Sequence, residues 1–232
     1  MHIYGKNVAL EALENKEKIK KAFLYEKFSD QIIIGELKKQ NIKIEYLSKF
    51  DLDKIEKANH QGIILEVDDY KYYPLEEIND EIIIILDHLE DPHNFGAIIR
   101  TAEAAGIKSI IIPKDRSVTV NGTVAKVSVG AISNVKISMV NNLVNTIKYL
   151  KEKGYWVIGT DMQGDDFKTI DYKGKIVLVI GNEGKGMSRL VSDNCDFIAS
   201  IPMNGKVNSL NASVAAALVI FEAVRNRWII KI

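Results

Sequence analysis

The sequence is poor in cysteine and proline, with one cysteine, Cys195, and four prolines in 232 residues. A single cysteine excludes an internal disulfide and a cysteine-based zinc cluster, which predicts a reducing compartment, the cytoplasm. An excess of charge of one sign is also missing, because 31 Lys and Arg stand against 31 Asp and Glu. Such a chain has no electrostatic signature of a non-specific nucleic-acid binder, so any contact with a nucleic acid must come from a local patch.

Long hydrophobic runs are missing as well. The most apolar stretch, 214–221, is far shorter than the ~20 residues that a membrane span needs, and the N-terminus lacks the apolar region of a signal peptide. Hydrophobic residues nevertheless make up 47% of the sequence, which predicts an ordinary globular protein with a large core.

The first part of the chain predicts a small α/β unit. A helical pattern around 8–13 is followed by strand candidates at 22–25, 31–34, 42–46 and 62–67. The charged stretch from 68 to 81 contains Pro74 and has no apolar periodicity, which indicates a boundary between domains. We therefore expect domains at 1–72 and 81–232, with a linker at 73–80.

The second part contains six continuous apolar runs, which indicate strands buried on both faces. These runs are 82–86, 109–112, 135–139, 156–159, 176–180 and 197–201. Helices are predicted between them at 94–105 and 141–153, each ending before a glycine, and a last helix is predicted at 209–226. The pattern therefore predicts an open parallel sheet of six strands covered by helices.

Ligands of open parallel sheets bind beyond the carboxyl ends of the strands, and three segments have this position. The first is 86–101, where we expect Asn94 to begin a helix whose exposed amides favour an anion. Arg100 lies six residues later, close enough to reach back to the same pocket. The alternative is that Asn94 caps the helix and Arg100 pairs with a surface carboxylate.

The second segment, 179–189, runs from a buried strand into a loop with three glycines. Their order, GxxGxG, is neither the dinucleotide fingerprint nor a phosphate-binding P-loop, so a nicotinamide or nucleoside-triphosphate enzyme is poorly supported. Glu183 in this loop either accepts a hydrogen bond from a substrate or is a solvated turn carboxylate.

The third segment, 201–213, ends with Asn208, Ser209 and Asn211 at the expected start of the last helix. One of these side chains is enough for an N-cap, which leaves others for a ligand. No set of zinc ligands is evident around His88 and His93, and the sequence predicts no metal site. Cys195 is expected to be a buried thiol rather than a nucleophile.

Together the three segments resemble the motifs of the SpoU (TrmH-like) family within the SPOUT superfamily of methyltransferases. The pattern NxxAIxRT spans 94–101, GNEGKGMS spans 181–188 and IPMNGKVNSLNAS spans 201–213. The N-terminal part, with YGKNVALEAL from Tyr4 and HQGI at 60–63, is similar to the L30e-like substrate-binding domain of ribosomal RNA members.

The resemblance implies 2′-O-methylation of a ribose in structured RNA by a cytoplasmic homodimer, with S-adenosylmethionine as cofactor and a trefoil knot in the C-terminal domain. It is strongest toward enzymes that methylate a guanosine of large-subunit (23S) ribosomal RNA. The catalytic residue implied is Arg100, which either anchors a phosphate or accepts a proton. Positioning roles are implied for Asn94, Glu183, Ser209 and Asn211, and cofactor contacts for Thr160, Gly181, Asn182, Ile201 and Leu210.

Two alternatives stay open at this point. One is a transfer RNA ribose methyltransferase, or a resistance enzyme acting on the ribosome, with the same catalytic domain. The other is a non-catalytic RNA-binding or ribosome assembly protein of the same fold, which is expected to have lost Arg100, Glu183 or Asn211.

Overall fold

The computed structural model describes residues 1–206, 209–225 and 227. Contacts within the chain divide these residues into two units. Unit 1 consists of residues 1–71 and 120–130, and unit 2 consists of 72–119 and the described residues from 131 onward.

In the described part of the chain, the strands are β1 (His2–Tyr4), β2 (Ile19–Tyr25), β3 (Ile44–Leu47), β4 (Ile63–Val67), β5 (Ile82–Leu86), β6 (Ser109–Pro113), β7 (Lys136–Val140), β8 (Trp156–Asp166), β9 (Ile176–Ile180) and β10 (Phe197–Ser200). The α-helices are α1 (Lys6–Glu14), α2 (Gln31–Lys39), α3 (Lys49–Ile55), α4 (Pro92–Ala104), α5 (Gly122–Ser128), α6 (Leu143–Glu152), α7 (Arg189–Ser192) and α8 (Ala212–Arg225).

Unit 1 is built on a mixed sheet with the strand order β1-β4-β2-β3. β2 and β3 pair in parallel, whereas β4 is antiparallel to both of its neighbours. Leu24 and Ile63 on the sheet and Ile33 on α2 are fully buried in one core. The prediction of a small α/β unit at the N-terminus is therefore confirmed.

Residues 120–130 belong to unit 1, although the sequence prediction put them in the C-terminal domain. The hydroxyls of Tyr4 and Thr123 share a hydrogen bond of 2.8 Å. A Cβ at Gly122 would lie 2.2 Å from the carbonyl oxygen of His2, so this contact needs a glycine. Contacts so distant in sequence have no local pattern that predicts them.

The strand predicted at 31–34 is wrong, because these residues begin α2. Asp30 caps the helix through its side chain, which accepts a hydrogen bond from the Ile33 amide at 3.4 Å. Ile33, Ile34 and Leu37 are buried at helical spacing. The run of isoleucines favours a strand, but the cap and the burial of one helical face decide for a helix.

Unit 2 contains a six-stranded, all-parallel sheet with the order β10-β8-β9-β5-β6-β7. The central strands β5 and β9 are buried along their whole length, which explains why their sequences are continuous apolar runs. The predicted parallel α/β domain is confirmed. The last predicted helix corresponds to α8, while Asn226, its predicted final residue, lies outside the described residues.

β8 is longer than the run 156–159 that predicted it. It pairs with β10 through Ile158 opposite Phe197 and Gly159 opposite Ile198, and the next pair joins Asp165 to Ala199, so residues 160–164 bulge out of the register. A Cβ at Gly164 would lie 2.4 Å from the carbonyl oxygen of Ile198, which explains the glycine at this position. No α-helix in the part of the chain that the structure describes is long and apolar enough to cross a membrane.

Candidate functional site

The three predicted segments follow β5, β9 and β10, whose carboxyl ends lie at one edge of the parallel sheet of unit 2. The first two segments meet directly, because the Asn94 amide nitrogen donates a hydrogen bond to a carboxylate oxygen of Glu183. These residues are 89 positions apart in sequence. Glu183 is thus not simply a solvated turn carboxylate.

A cleft of about 730 Å³ opens at this edge. All five residues for which the resemblance implied cofactor contacts line it, and so do Glu183 and Ser209. The lining residues are Thr160, Asp161, Met162, Ile180, Gly181, Asn182, Glu183, Gly184, Lys185, Gly186, Ala199, Ser200, Ile201, Pro202, Met203, Ser209, Leu210, Ala212 and Ala215. The lining includes the glycine loop 181–186 and apolar residues such as Ile180, Ile201 and Leu210. This is the composition of a small-molecule site.

The glycine loop is closed by its own hydrogen bonds. The amides and carbonyls of Asn182 and Gly186 bond to each other at 2.9 and 2.8 Å. The Asn182 side chain accepts from the Gly184 amide at 2.9 Å and donates to the His88 carbonyl at 2.7 Å. The loop is therefore preformed and tied to the segment that follows β5.

Gly181 is the residue at which the loop leaves β9, and it admits no side chain. A Cβ there would lie 2.4 Å from the Gly186 carbonyl carbon and 2.5 Å from the Met187 nitrogen. Both atoms belong to the backbone, so the loop itself would have to move. The close approach of the two backbone segments explains this glycine of the GNEGKGMS motif.

Asp87 anchors the far end of the same loop and was not singled out from the sequence. Its side chain is 1% exposed and accepts hydrogen bonds from the Ser188 amide at 2.6 Å and from Nδ1 of His88 at 2.5 Å. The available signal was its position, since a carboxylate directly after a buried central strand faces the edge where ligands bind. Asp87 positions the loop.

Arg100 and Asn94 share α4 but differ in surroundings. The helix begins at Pro92 rather than at Asn94, because Asp91 is the N-cap and accepts a hydrogen bond from the His93 amide at 2.9 Å. Asn94 is therefore not the cap, and its buried side chain contacts Glu183 instead. Arg100 is exposed, and within the described residues its guanidinium has no carboxylate or hydrogen-bond partner. The alternative reading, in which Arg100 pairs with a surface carboxylate, is thus not seen there.

In the third segment, the side chains at the start of α8 divide between two tasks. Asn211 is the cap, since its side-chain oxygen accepts from the Ser213 amide at 3.0 Å and from the Ser213 hydroxyl at 2.6 Å. Ser209 lines the cleft, as a residue left over from capping was expected to do. Asn208 lies outside the described residues.

The bulge in β8 is held beside the cleft by hydroxyl groups. Thr160 donates to the Val179 carbonyl at 3.0 Å, and Ser200 donates to the Met162 carbonyl at 2.9 Å. These bonds fix the backbone around Thr160 against the neighbouring strands. Thr160, for which the resemblance implies a cofactor contact, thus lies in a bulge whose backbone is held in place beside the cleft.

The surroundings of the Cys195 thiol disfavour its ionised, nucleophilic form. The thiol is half-buried, donates to the Val191 carbonyl at 3.4 Å, and burial raises its pKa to about 12. Among the described residues no group of three or more His, Cys, Asp and Glu side chains is placed to hold a metal ion.

Two family profiles match the chain. The SpoU rRNA Methylase family matches residues 81–221, and the family described as RNA 2′-O ribose methyltransferase substrate binding matches residues 2–73. Among curated proteins, YacO of Bacillus subtilis, named as a TrmH family tRNA/rRNA methyltransferase, is 44% identical over 238 residues, which cover 97% of this chain and 96% of YacO.

Two solved structures of other enzymes resemble this chain in fold. An S-adenosylmethionine-bound rRNA methyltransferase of Sinorhizobium meliloti superposes on this chain with a TM-score of 0.80 and 28% sequence identity. The match covers 98% of this chain and 87% of the S. meliloti chain. The TrmH/SpoU tRNA modifying enzyme of A. aeolicus superposes on this chain with a TM-score of 0.58 and 31% sequence identity. The match covers 66% of this chain and 78% of the A. aeolicus chain. The matched profiles, the curated relative and the parallel sheet with its cleft agree, and the chain belongs to the SpoU (TrmH-like) family of S-adenosylmethionine-dependent tRNA/rRNA 2′-O-methyltransferases.

Proposed function

We propose that this protein methylates the ribose 2′-hydroxyl of a nucleotide in large-subunit (23S) ribosomal RNA, with a guanosine as the expected target. The observation that carries the proposal is the cleft at the sheet edge, which collects the implied cofactor residues and lies beside the Asn94–Glu183 hydrogen bond. A cofactor site and a polar substrate-facing pair are thus adjacent, as methyl transfer between two bound molecules requires.

The cleft fits S-adenosylmethionine. Gly181 leaves the loop backbone close to the cleft, where a side chain would displace it. Ile201 and Leu210 offer apolar surface to an adenine ring, and the loop around Asn182 offers backbone groups to its polar edge. When bound, S-adenosylmethionine supplies a methyl group that its sulfonium makes electrophilic. We assign its binding to Thr160, Gly181, Asn182, Ile201 and Leu210.

The chain must orient the ribose oxygen toward that methyl group and assist the loss of its proton. Arg100 is our candidate catalytic residue, because its exposed guanidinium is not engaged by another described group. A guanidinium stays protonated in proteins, which favours anchoring of a phosphate, whereas proton acceptance requires a neutral form. Asn94, Glu183, Ser209 and Asn211 are assigned to positioning around it.

Ribosomal RNA is preferred to transfer RNA because of the N-terminal part of the chain. The S. meliloti rRNA methyltransferase matches nearly the whole chain, whereas the A. aeolicus tRNA modifying enzyme matches about two thirds of it. We therefore assign residues 1–72 to an L30e-like RNA-binding domain, 73–80 to a linker and 81–232, apart from residues 120–130 that belong to unit 1, to the methyltransferase domain. The spans of the two family profiles, 2–73 and 81–221, support these boundaries.

We also propose a homodimer, which the outer face of α8 supports. Val214, Leu218 and Phe221 are 47%, 42% and 39% exposed, and their spacing puts them on one side of the helix. Exposed apolar stripes of this kind mark protein interfaces. The trefoil knot implied by the family is part of the same proposal, and so is a cytoplasmic location, where ribosomal RNA is found.

The test is transfer of labelled methyl from S-adenosylmethionine to unmodified transcripts of large-subunit ribosomal RNA, to transfer RNA, and to pre-ribosomal particles. Label on ribosomal RNA or on the particles, abolished by Arg100→Ala, is the expected result. Label on transfer RNA alone would contradict the proposed substrate. Label on none of the three, with S-adenosylmethionine still bound, would contradict catalysis and favour an RNA-binding assembly protein.

A further inference from the structure

Unit 1 contains a second cleft of about 730 Å³, which no function described so far uses. Its walls come from the turn after β2, from α3 and from the turn before β4. The lining residues are Lys6, Tyr25, Lys27, Phe28, Ser29, Lys49, Asp53, Lys57, Ala58, Asn59, His60, Gln61 and Gly62. Every one of them belongs to unit 1, so this cleft is complete within that unit.

The cleft concentrates positive charge in a segment that is neutral as a whole. Residues 1–71 carry 13 Lys and 13 Asp and Glu, yet four lysines and one carboxylate line the cleft. Lys27, Lys49 and Lys57 are exposed and have no acidic partner among the described residues. Some other lysines of unit 1 are paired, as Lys20 is with Asp68 at 2.8 Å, whereas Lys16, Lys38 and Lys43, which lie outside the cleft, also have no acidic partner among the described residues. The unpaired cations at the cleft are available to an anionic ligand.

The single carboxylate in the lining, Asp53, is already engaged. His60 is 7% exposed, and its Nδ1 accepts a hydrogen bond from the Gly62 amide at 3.0 Å. The proton of this neutral imidazole is therefore on Nε2, which lies 2.9 Å from an Asp53 carboxylate oxygen and donates to it. This bond fixes the position of the Asp53 carboxylate, whose one negative charge is outnumbered by the four lysines of the lining.

The turn before β4 is held in place without a ligand. Gln61 has φ +54° and Gly62 φ +82°, both in the left-handed region. The Gln61 side-chain oxygen accepts a hydrogen bond from the Lys6 amide at 2.9 Å, which joins this turn to the start of α1. The cleft is thus preformed, and binding does not have to order its walls.

Aromatic rings complete the lining. Tyr25 and Phe28 are half-buried, and the Lys6 ammonium lies 5.4 Å from the centre of the Phe28 ring. Rings beside a row of lysines are the combination with which proteins hold single-stranded nucleic acids, since bases stack on the rings while phosphates contact the cations. A cleft of this volume has room for one or two unpaired nucleotides but not for a duplex, in which the bases are paired and stacked in the interior of the double helix.

We propose that this cleft binds an unpaired stretch of the RNA substrate, with phosphates on Lys27, Lys49 and Lys57 and a base against Phe28. The inference rests on the proposed function, which supplies the RNA, and adds the surface and the form of RNA that unit 1 recognises. We expect the cleft to contact exposed bases rather than a base-paired RNA helix, because sequence-specific recognition of RNA favours unpaired segments.

The experiment compares two triple variants of the full chain that lose the same charge. Lys27, Lys49 and Lys57 are changed to Gln in one, and Lys16, Lys38 and Lys43, exposed lysines outside the cleft, are changed to Gln in the other. Binding of a labelled 12-nucleotide single-stranded RNA is measured over a range of salt concentrations, with the same sequence as a duplex in a parallel arm.

We expect the cleft variant to bind the single strand at least about tenfold more weakly, and its salt dependence to fall by roughly 2 in the slope of log K against log salt, since each phosphate contact on a single strand contributes about 0.7. The control variant is expected to stay within about twofold of the unchanged protein. Equal losses of affinity in the two variants, or stronger binding of the duplex than of the single strand, would overturn the inference.

Phe28→Leu provides an independent readout. We expect it to weaken binding of the single strand severalfold without reducing the salt slope, because it removes a stacking surface and no charge. Thermal unfolding of the variant identifies any loss that comes from misfolding. Photo-crosslinking of 4-thiouridine RNA to the unchanged protein should then label peptides that contain 25–29 or 57–62, and crosslinks confined to other peptides would contradict the site.

The two proposals fail in different ways. If the unchanged protein methylates ribosomal RNA and both triple variants do so with the same KM, the cleft inference falls and the proposed function stands. If the cleft variant alone loses affinity for RNA while no RNA accepts a methyl group from the unchanged protein, the inference stands and the proposed function falls.

Discussion

Gly181→Ala is expected to impair S-adenosylmethionine binding more than any other single methyl group added to the glycine loop. The added Cβ would lie 2.4 Å from the Gly186 carbonyl carbon and 2.5 Å from the Met187 nitrogen. Carbon atoms in contact are normally 3.5–4.0 Å apart, so the backbone at 186–187 must retreat by about 1 Å. That backbone is fixed by the mutual hydrogen bonds of Asn182 and Gly186.

The magnitude follows from these contacts. Overpacking costs about 1–3 kcal/mol, and a retreat of this size weakens at least one loop hydrogen bond, each contributing about 1 kcal/mol. We therefore expect a loss of about 2–3 kcal/mol. Because the displaced loop forms one wall of the cleft, the Kd for S-adenosylmethionine should rise about 30- to 150-fold, at 1.4 kcal/mol for each factor of ten.

Gly184→Ala is the matched control in the same loop. The nearest atom to its added Cβ is the Asn182 side-chain oxygen at 3.7 Å, an ordinary contact, and the hydrogen bond from the residue 184 amide is kept. Its Kd should stay within about twofold of the unchanged protein. Titration calorimetry with S-adenosylmethionine measures both variants, and circular dichroism checks their folding. Equal affinities for the two variants would refute the assignment of the loop wall to the cofactor.

Three further predictions follow from other parts of the chain. Arg100→Lys should lose nearly all methyl transfer but keep its affinity for S-adenosylmethionine, since Arg100 does not line the cleft. Near-normal turnover of this variant would contradict the assignment of Arg100 as the catalytic residue. Leu218→Glu should convert the proposed dimer into a monomer in light scattering at micromolar concentration, because it puts a charge into the exposed stripe of α8; a monomeric unchanged protein would contradict the proposed dimer. Iodoacetamide at pH 8 should alkylate Cys195 about 1,000-fold more slowly in the native than in the urea-unfolded protein, because its pKa is raised from 9.0 to about 12. The thiol of the unfolded chain ionises at a lower pH than the thiol of the folded chain. Burial of the protonated thiol therefore contributes its full stability below about pH 9, and this contribution is lost as the pH rises from about 9 to about 12. Comparable alkylation rates in the native and the unfolded protein would contradict the burial of the thiol.

The sequence predicted unit 2 better than unit 1, for a physical reason. Strands buried on both faces, such as β5 and β9, have to be apolar at every position, so they are evident as continuous runs. At 31–34 a similar run of isoleucines belongs to a helix, and the capping side chain of Asp30 together with the burial of one helical face separates the two cases. The polar second half of β8 could not be predicted, because it is a strand only through its pairing with β10.

The candidate site was predictable as three segments but not as a geometry. Strand ends, glycines and helix starts are local features, and each was evident in the sequence. The contact between Asn94 and Glu183 joins residues 89 positions apart, and the bond between Asp87 and the Ser188 amide spans 101. Such contacts depend on the order of strands in the sheet, which local patterns do not specify. The cleft in unit 1 was missed for the same reason, since its lysines come from separate turns and helices.

The most direct test of the central claim is to identify the methylated nucleoside. Large-subunit ribosomal RNA labelled by the protein from S-adenosylmethionine is digested completely to nucleosides and separated by chromatography with 2′-O-methyl and base-methyl standards. We expect the label to migrate with a 2′-O-methylated nucleoside, 2′-O-methylguanosine for the expected target, and Arg100→Ala to remove it. Label on a base-methylated nucleoside would contradict ribose methylation by this protein, whichever RNA carried it.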